Sequence, residues 1–241
     1  MNEVIDKLDA LVQSGGADFV LAEQLAAGHG IQLESLPTVK KYTPVIEFFN
    51  LFFEGYDNLD DGIQNLIPLK IINLNSFGLV NLPSWIFDLT DLKHLYLYSN
   101  KLRTLPIELC KLTELKYLWL RDNYLTELPN WIDQLKSLEV LDLSRNKLIT
   151  LPIELGNIPA LKGLNLSDNK LTELPSWTSN LTALEQLQLQ DNNLTELPIE
   201  LAHLKSLEYV EIRGNPIDKS NPTTARVIAQ LKANGTKLDF R

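Results

Sequence analysis

The sequence predicts an α/β repeat solenoid, a stack of short parallel strands joined by short outer segments. Three observations carry this prediction. The wording L-x-x-L-x-L-x-x-N-x-L-x-x-L restarts every 23 residues, at Leu69, Leu92, Leu115, Leu138, Leu161, Leu184 and Leu207. A fixed period in this range marks an array architecture. Within a copy, Leu95 and Leu97 alternate with Tyr96, so the leucines face one side of a strand and the tyrosine the other. Finally, Pro83, Pro106, Pro129, Pro152, Pro175 and Pro198 each follow the fourth leucine. Proline fixes φ and removes a donor, which suits a bend out of the sheet layer. One repeat cannot bury its leucines alone, and stacking makes one continuous core.

The elements before and after the array read differently. Residues 1–45 are expected to form a helical N-terminal cap. EVIDKLDALVQ carries an amphipathic stripe ended by Gly15-Gly16, and DFVLAEQLAA is closed by Gly28 and Gly30. Residues 46–68 admit two readings. One is a helix with Thr43 as N-cap and Pro44 in its first turn. The other, which we favour, is a degenerate first repeat, with Ile46, Phe49, Leu51, Tyr56, Leu59, Ile63 and Leu66 in the apolar slots. Residues 69–217 hold the seven repeats, and 218–241 form a C-terminal cap. There, Asn221-Pro222 starts a helix with Val227, Ile228 and Leu231 as its apolar stripe, and Gly235 ends it. The final KLDFR is an edge strand or a tail.

The copies resemble the leucine-rich repeat family in its intracellular short form, with LPxxI or LPxxL second halves. The resemblance is strong over 69–217 and weak over 46–68. It implies a horseshoe with a concave parallel sheet and short helical or 3-10 outer segments. It also implies a module that binds a protein or peptide on that concave face.

Asn100, Asn123, Asn146, Asn169, Asn192 and Asn215 fill one slot of the repeat. A buried turn leaves backbone groups to be paired, and an Asn amide both donates and accepts. These residues are expected to form a structural ladder, broken at Phe77. A second period lies above the first, because Ser84-Trp85, Asn130-Trp131 and Ser176-Trp177 alternate with Ile107-Glu108, Ile153-Glu154 and Ile199-Glu200. The tryptophans are either a row of exposed anchors or packing groups, each indole covering the neighbouring isoleucine. Packing is the favoured reading, since large aromatics bury most of their area.

Function is expected in the letters that vary. Strand residues between the leucines point away from the core, and adjacent strands lie about 4.8 Å apart. Tyr96, Tyr98, Tyr117, Trp119 and Arg121 therefore form one patch, bordered by His94, Asp122, Tyr124, Asp142 and Arg145. Tyr, Trp and Arg dominate binding hot spots. The bland alternative is aromatic stacking across a sheet with no partner.

Composition narrows the classes. The chain has 241 residues, 44% apolar, with net charge −9. Residues 1–68 hold 11 acidic and 3 basic residues, against 20 and 19 in the remainder. That acidic start serves solubility or docks a basic partner. No basic cluster suggests nucleic acid, no apolar run suits a membrane span, and MNEVIDKLDALVQ lacks the form of a secretory signal. One cysteine, Cys110, allows no internal disulfide. There is no phosphate-binding loop, and the three histidines lack metal-site spacing. The reading is thus a cytoplasmic, monomeric, non-enzymatic scaffold or recognition module without cofactor or metal. Its rivals are an inhibitor that wraps its target and a substrate-recruiting subunit of a separate enzyme. The chain is expected to end at its cap, with no catalytic domain following.

Overall fold

The computed structural model describes residues 70–240. The expected N-terminal cap and degenerate first repeat lie outside the described residues. The described residues fall into two compact units, Ile71–Leu82 with Leu92–Arg241 in one and Pro83–Asp91 in the other. In the latter, Pro83–Asp91 contains a 3-10 turn, Ser84–Asp88, in which Ile86 and Phe87 are buried.

The larger unit is one parallel sheet whose strands follow chain order. The strands are β1 (Ile71–Asn73), β2 (His94–Tyr96), β3 (Tyr117–Trp119), β4 (Val140–Asp142), β5 (Gly163–Asn165), β6 (Gln186–Gln188), β7 (Tyr209–Glu211) and β8 (Lys237–Asp239). The register is uniform, so Leu95, Leu118, Leu141, Leu164 and Leu187 stand side by side. From β2 to β6 both leucines of each strand region are buried, Leu118 and Leu120 completely. The predicted period is thus realised as one continuous apolar layer.

Each of the six repeat prolines launches a 3-10 turn rather than an α-helix. Pro106 and Pro152 sit in extended geometry before Ile107–Lys111 and Ile153–Asn157, and their carbonyls accept from Leu109 N and Leu155 N at 3.1 and 3.2 Å. A missing N–H is harmless at a helix start, and the fixed φ sets the exit direction. Five residues make one tight turn, which keeps the repeat short.

The asparagine slot holds the repeats together. Asn123 accepts from Leu102 N at 3.0 Å and donates to Leu97 O and Leu120 O at 2.9 and 3.0 Å. Asn146 does the same with Leu125 N, Leu120 O and Leu143 O. Each amide therefore bonds its own repeat and the preceding one, satisfying polar backbone that the leucine layer seals from water.

The tryptophan doublet has a different basis from the one expected. Ile107 and Ile153 remain 56% and 62% exposed, so no indole covers them. Trp131 is buried, and Trp177 is half-buried against the preceding repeat. A Cβ built on Gly156 would stand 2.8 Å from Trp177 Cε3. The indole thus occupies the space that a side chain at Gly156 would take. Cys110 precedes Trp131 by the same sequence distance, another small residue one repeat ahead of an indole. Between Gly156 and Trp177 the alternation is therefore a small-then-large pairing of successive turns.

After β7, Asn221 caps helix α1 (Pro222–Ala233), accepting from Thr223 N and Thr224 N at 2.8 and 3.2 Å. Val227 and Leu231 are fully buried, and Ile228 is partly so. Thr224 Oγ1 accepts from Leu197 N at 3.2 Å. Gly235, at φ +88°, turns the chain into β8, which pairs with β7. KLD is therefore an edge strand and not a tail.

Candidate functional site

The face of the sheet opposite the leucines carries the variable side chains. Uniform register sets His94, Tyr117 and Val140 in one row, and Tyr96, Trp119 and Asp142 in the next. His94 and Tyr117 stack at 4.4 Å between ring centroids, with planes 6° apart. Tyr96 and Trp119 stack at 6.0 Å, also 6° apart. Parallel strands hold corresponding side chains in line, so rings on adjacent strands overlap without backbone adjustment. Tyr98 stays 44% exposed.

Five residues of this group, Tyr96, Tyr98, Trp119, Arg121 and Asp142, enclose an open hollow of about 220 Å³. On the other side of the row lies a second hollow of about 110 Å³, lined by Trp119, Asp142, Gly163, Asn165 and Gln188 among others. Trp119 and Asp142 are common to both. The second hollow exists because Gly163 supplies no side chain; its nearest neighbour across the sheet is Val140. Trp119 Nε1 is buried without a hydrogen-bond partner among the described residues, and so is Gln190 Oε1. A buried unpaired donor or acceptor carries a desolvation cost.

The structure separates the predicted residues into two groups. His94, Tyr96, Tyr98, Tyr117, Trp119 and Arg121 come together on β2 and β3, or just beyond them. Asp142 joins them, but it is buried and its Oδ1 accepts from Ser144 N and Oγ at 2.9 and 2.6 Å. Asn165 bonds Ser167 in the same way, so Asp142 also shapes the strand exit. Asp122, Tyr124 and Arg145 lie along the rim and engage neighbouring repeats. Asp122 accepts from Ser99 Oγ at 2.8 Å. Tyr124 lies under Lys147 Nζ at 4.6 Å from its centroid. Arg145 Nε stands 3.8 Å from Asp168 Oδ2.

The rim slot has a backbone role that the apolar pattern does not announce. Ser76, Ser99, Asp122, Arg145, Asp168 and Asp191 all have φ between 52° and 63°. Gly214 follows at φ +68°, where a Cβ would stand 2.1 Å from Asp191 Oδ1. Asp tolerates the left-handed region and Gly favours it, whereas Arg does so rarely. The Ser, Asp and Gly content of this slot was the available signal.

At the opposite rim, charges pair between repeats. Glu139 accepts from Lys116 Nζ at 2.7 Å and from Lys162 Nζ at 3.2 Å. These two bonds hold its carboxyl below the usual range, and the Glu139 bond raises Lys116. Lys93 pairs with Glu114, whose carboxyl is lowered by that contact. Among the described residues, no cluster of His, Cys, Asp and Glu is placed to hold a metal ion, and no helix is long and apolar enough to cross a membrane.

A single parallel sheet, proline-started 3-10 turns and an asparagine ladder define a repeat solenoid with one face left open for side-chain display. A family model described as a leucine-rich repeat region matches residues 106–231, and a leucine rich repeat model matches 67–125. The chain belongs to the leucine-rich repeat family. It is similar to a leucine-rich repeat protein of Leptospira interrogans, at 39% identity and a TM-score of 0.62, over 67% of this chain and 40% of that one. It is also similar to the leucine-rich repeat ectodomain of a plant membrane receptor kinase from Arabidopsis thaliana, solved in complex with Casparian strip integrity factor 2. There the identity is 35% and the TM-score 0.52, over 56% of this chain and 17% of that one. The chain therefore spans less than half the length of either structure. No curated protein matches it. Domains of this family commonly mediate protein–protein interaction.

Proposed function

We propose that the chain is a non-enzymatic binding module that holds a protein or peptide on the open sheet face, centred on Trp119. The observation that carries this is the pair of hollows on either side of the Trp119 and Asp142 row. The leucine layer is complete without these rings, so they meet no packing need there. An aromatic patch of this kind, with Arg121 at its margin, has the composition of an interface centre. The complex of the Arabidopsis ectodomain with its factor supports the general mode by analogy.

The same reading takes the protein as a cytoplasmic monomer without cofactor, acting on neither nucleic acid nor membrane. It divides the chain into a helical cap over 1–45, a degenerate repeat over 46–68, seven repeats over 69–217 and a C-terminal cap over 218–241. Affinity capture from the native lysate tests it, with wild type beside Trp119→Ala. A partner retained by wild type and lost by the variant is the expected result. Equal retention by both rejects the patch as the site.

A further inference from the structure

A second site lies away from the aromatic patch, where α1 meets the last 3-10 turn, Ile199–His203. These elements frame a cleft of about 250 Å³. Its apolar wall is Ile199 and Ala202. Its polar wall comes from α1 and the residue after it, where Arg226, Gln230 and Asn234 recur at helical spacing and so share one face. Asn234 Nδ2 donates to Ala202 O at 3.4 Å, and Gln230 Nε2 donates to Asn234 Oδ1 at 3.0 Å. The two sides of the cleft are thus tied together. His203 and Lys205 complete the lining.

The charge in this cleft is of one sign. Lys205 and Arg226 line it together with the His203 imidazole, and no acidic residue does. None of the three forms an ion pair among the described residues, although Lys93, Lys116, Lys162 and Arg213 all do. The chain as a whole carries −9, so a cationic lining here runs against its general field. Arg226 gains nothing from the helix dipole here, since it lies in the N-terminal half of α1, the end that disfavours cations. Its planar guanidinium suits a phosphate or carboxylate, and two amides beside it add further donors.

We propose that this cleft binds a phosphate monoester carried on a small apolar or aromatic body. A phosphate monoester brings close to two negative charges and three acceptor oxygens, which match two permanent cations, an imidazole and two amides better than a single carboxylate does. The attached body packs on Ile199 and Ala202. The ester comes from a free small molecule or from a phosphorylated side chain of a protein, and the chemistry recognised is the same.

Isothermal titration calorimetry on the full chain tests this with phenyl phosphate at fixed ionic strength, phenol serving as the uncharged control. Saturable binding of phenyl phosphate but not phenol is expected. Arg226→Glu and Lys205→Glu should each weaken it by about tenfold, the scale of losing one charge-assisted contact. Arg226→Gln, which removes charge without reversing it, should weaken it too, and Trp119→Ala should leave it unchanged. Both cationic residues are exposed, so unchanged melting temperatures will show that the variants fold. A phosphotyrosine peptide that binds about tenfold tighter than phenyl phosphate identifies a phosphorylated protein as the source. Equal affinity identifies a free ester. Absence of saturable binding up to about 10 mM, or undiminished affinity in the Lys205→Glu/Arg226→Glu double variant, overturns the proposal.

Discussion

The sheet face over β2 and β3 and the face over β5 and β6 share one scaffold and differ in almost every displayed side chain. Both rest on buried leucines and the same asparagine bonds. Over β2 and β3 the displayed residues are His94, Tyr96, Tyr117 and Trp119; over β5 and β6 they are Gly163, Asn165, Gln186 and Gln188. The scaffold tolerates both because strand side chains on this face stand free of the core. The difference separates what holds the molecule together from what it offers to a partner, and each can be altered without the other.

The largest effects should fall on the shared layer and ignore the difference in display. Leu118→Ala and Leu164→Ala should each destabilise by about 2–5 kcal/mol, the range for a buried leucine cavity. Chemical denaturation should give similar losses at the two sites. A loss at one site alone would break the idea of a uniform scaffold. Next in size is Asn146→Ala, which leaves Leu120 O, Leu143 O and Leu125 N short of a partner. A loss of about 1–3 kcal/mol in the same titration is expected, and an unchanged midpoint would contradict the ladder's role.

Gly163→Val sharpens the comparison by bringing the second region closer to the first. A Cβ there meets Val140 only at ordinary contact distance, 3.5 Å. Replacing a strand glycine should stabilise by about 0.5–1 kcal/mol while filling the hollow beside Trp119. Melting temperature should therefore rise as partner affinity falls, a combination that a purely structural glycine would not give. The smallest expected effect is electrostatic. The Glu139 carboxyl is lowered in the fold by Lys116 and Lys162, so its contribution is present above the unfolded carboxylate pKa and is lost as pH falls through the folded value. Between about pH 5 and pH 3, where carboxylates titrate, wild type should lose slightly more stability than Glu139→Gln. Identical pH profiles would show that the pair is fully screened.

The repeat, the strand register and the proline-started turns were legible in the sequence because each is enforced by a residue type at a fixed spacing. Leucine periodicity fixes which face is buried, and that in turn fixes which side chains are displayed. The assembly of His94, Tyr96, Tyr117 and Trp119 followed from register alone. Other features depend on geometry that letters encode only indirectly. Arg145 reads as a free recognition residue, yet it occupies a left-handed position its counterparts fill with Ser, Asp or Gly. The Gly156 and Trp177 pairing reaches between successive turns, so neither residue signals it when read within its own repeat. The hollow at Gly163 is defined by a missing side chain, which a search for chemically active residues passes over.

The central claim is that recognition is centred on the two hollows beside Trp119 and does not extend to the far end of the sheet face at β7. The direct measurement is the affinity of the captured partner for wild type, Trp119→Ala and Tyr209→Ala, made on variants with matching melting temperatures; Tyr209 stands on β7 and lines neither hollow. The account predicts that Trp119→Ala weakens binding by about 2 kcal/mol or more, the scale of an interface hot spot, while Tyr209→Ala changes it by less than about 0.5 kcal/mol. Equal losses from the two variants, or a larger loss from Tyr209→Ala, would contradict it.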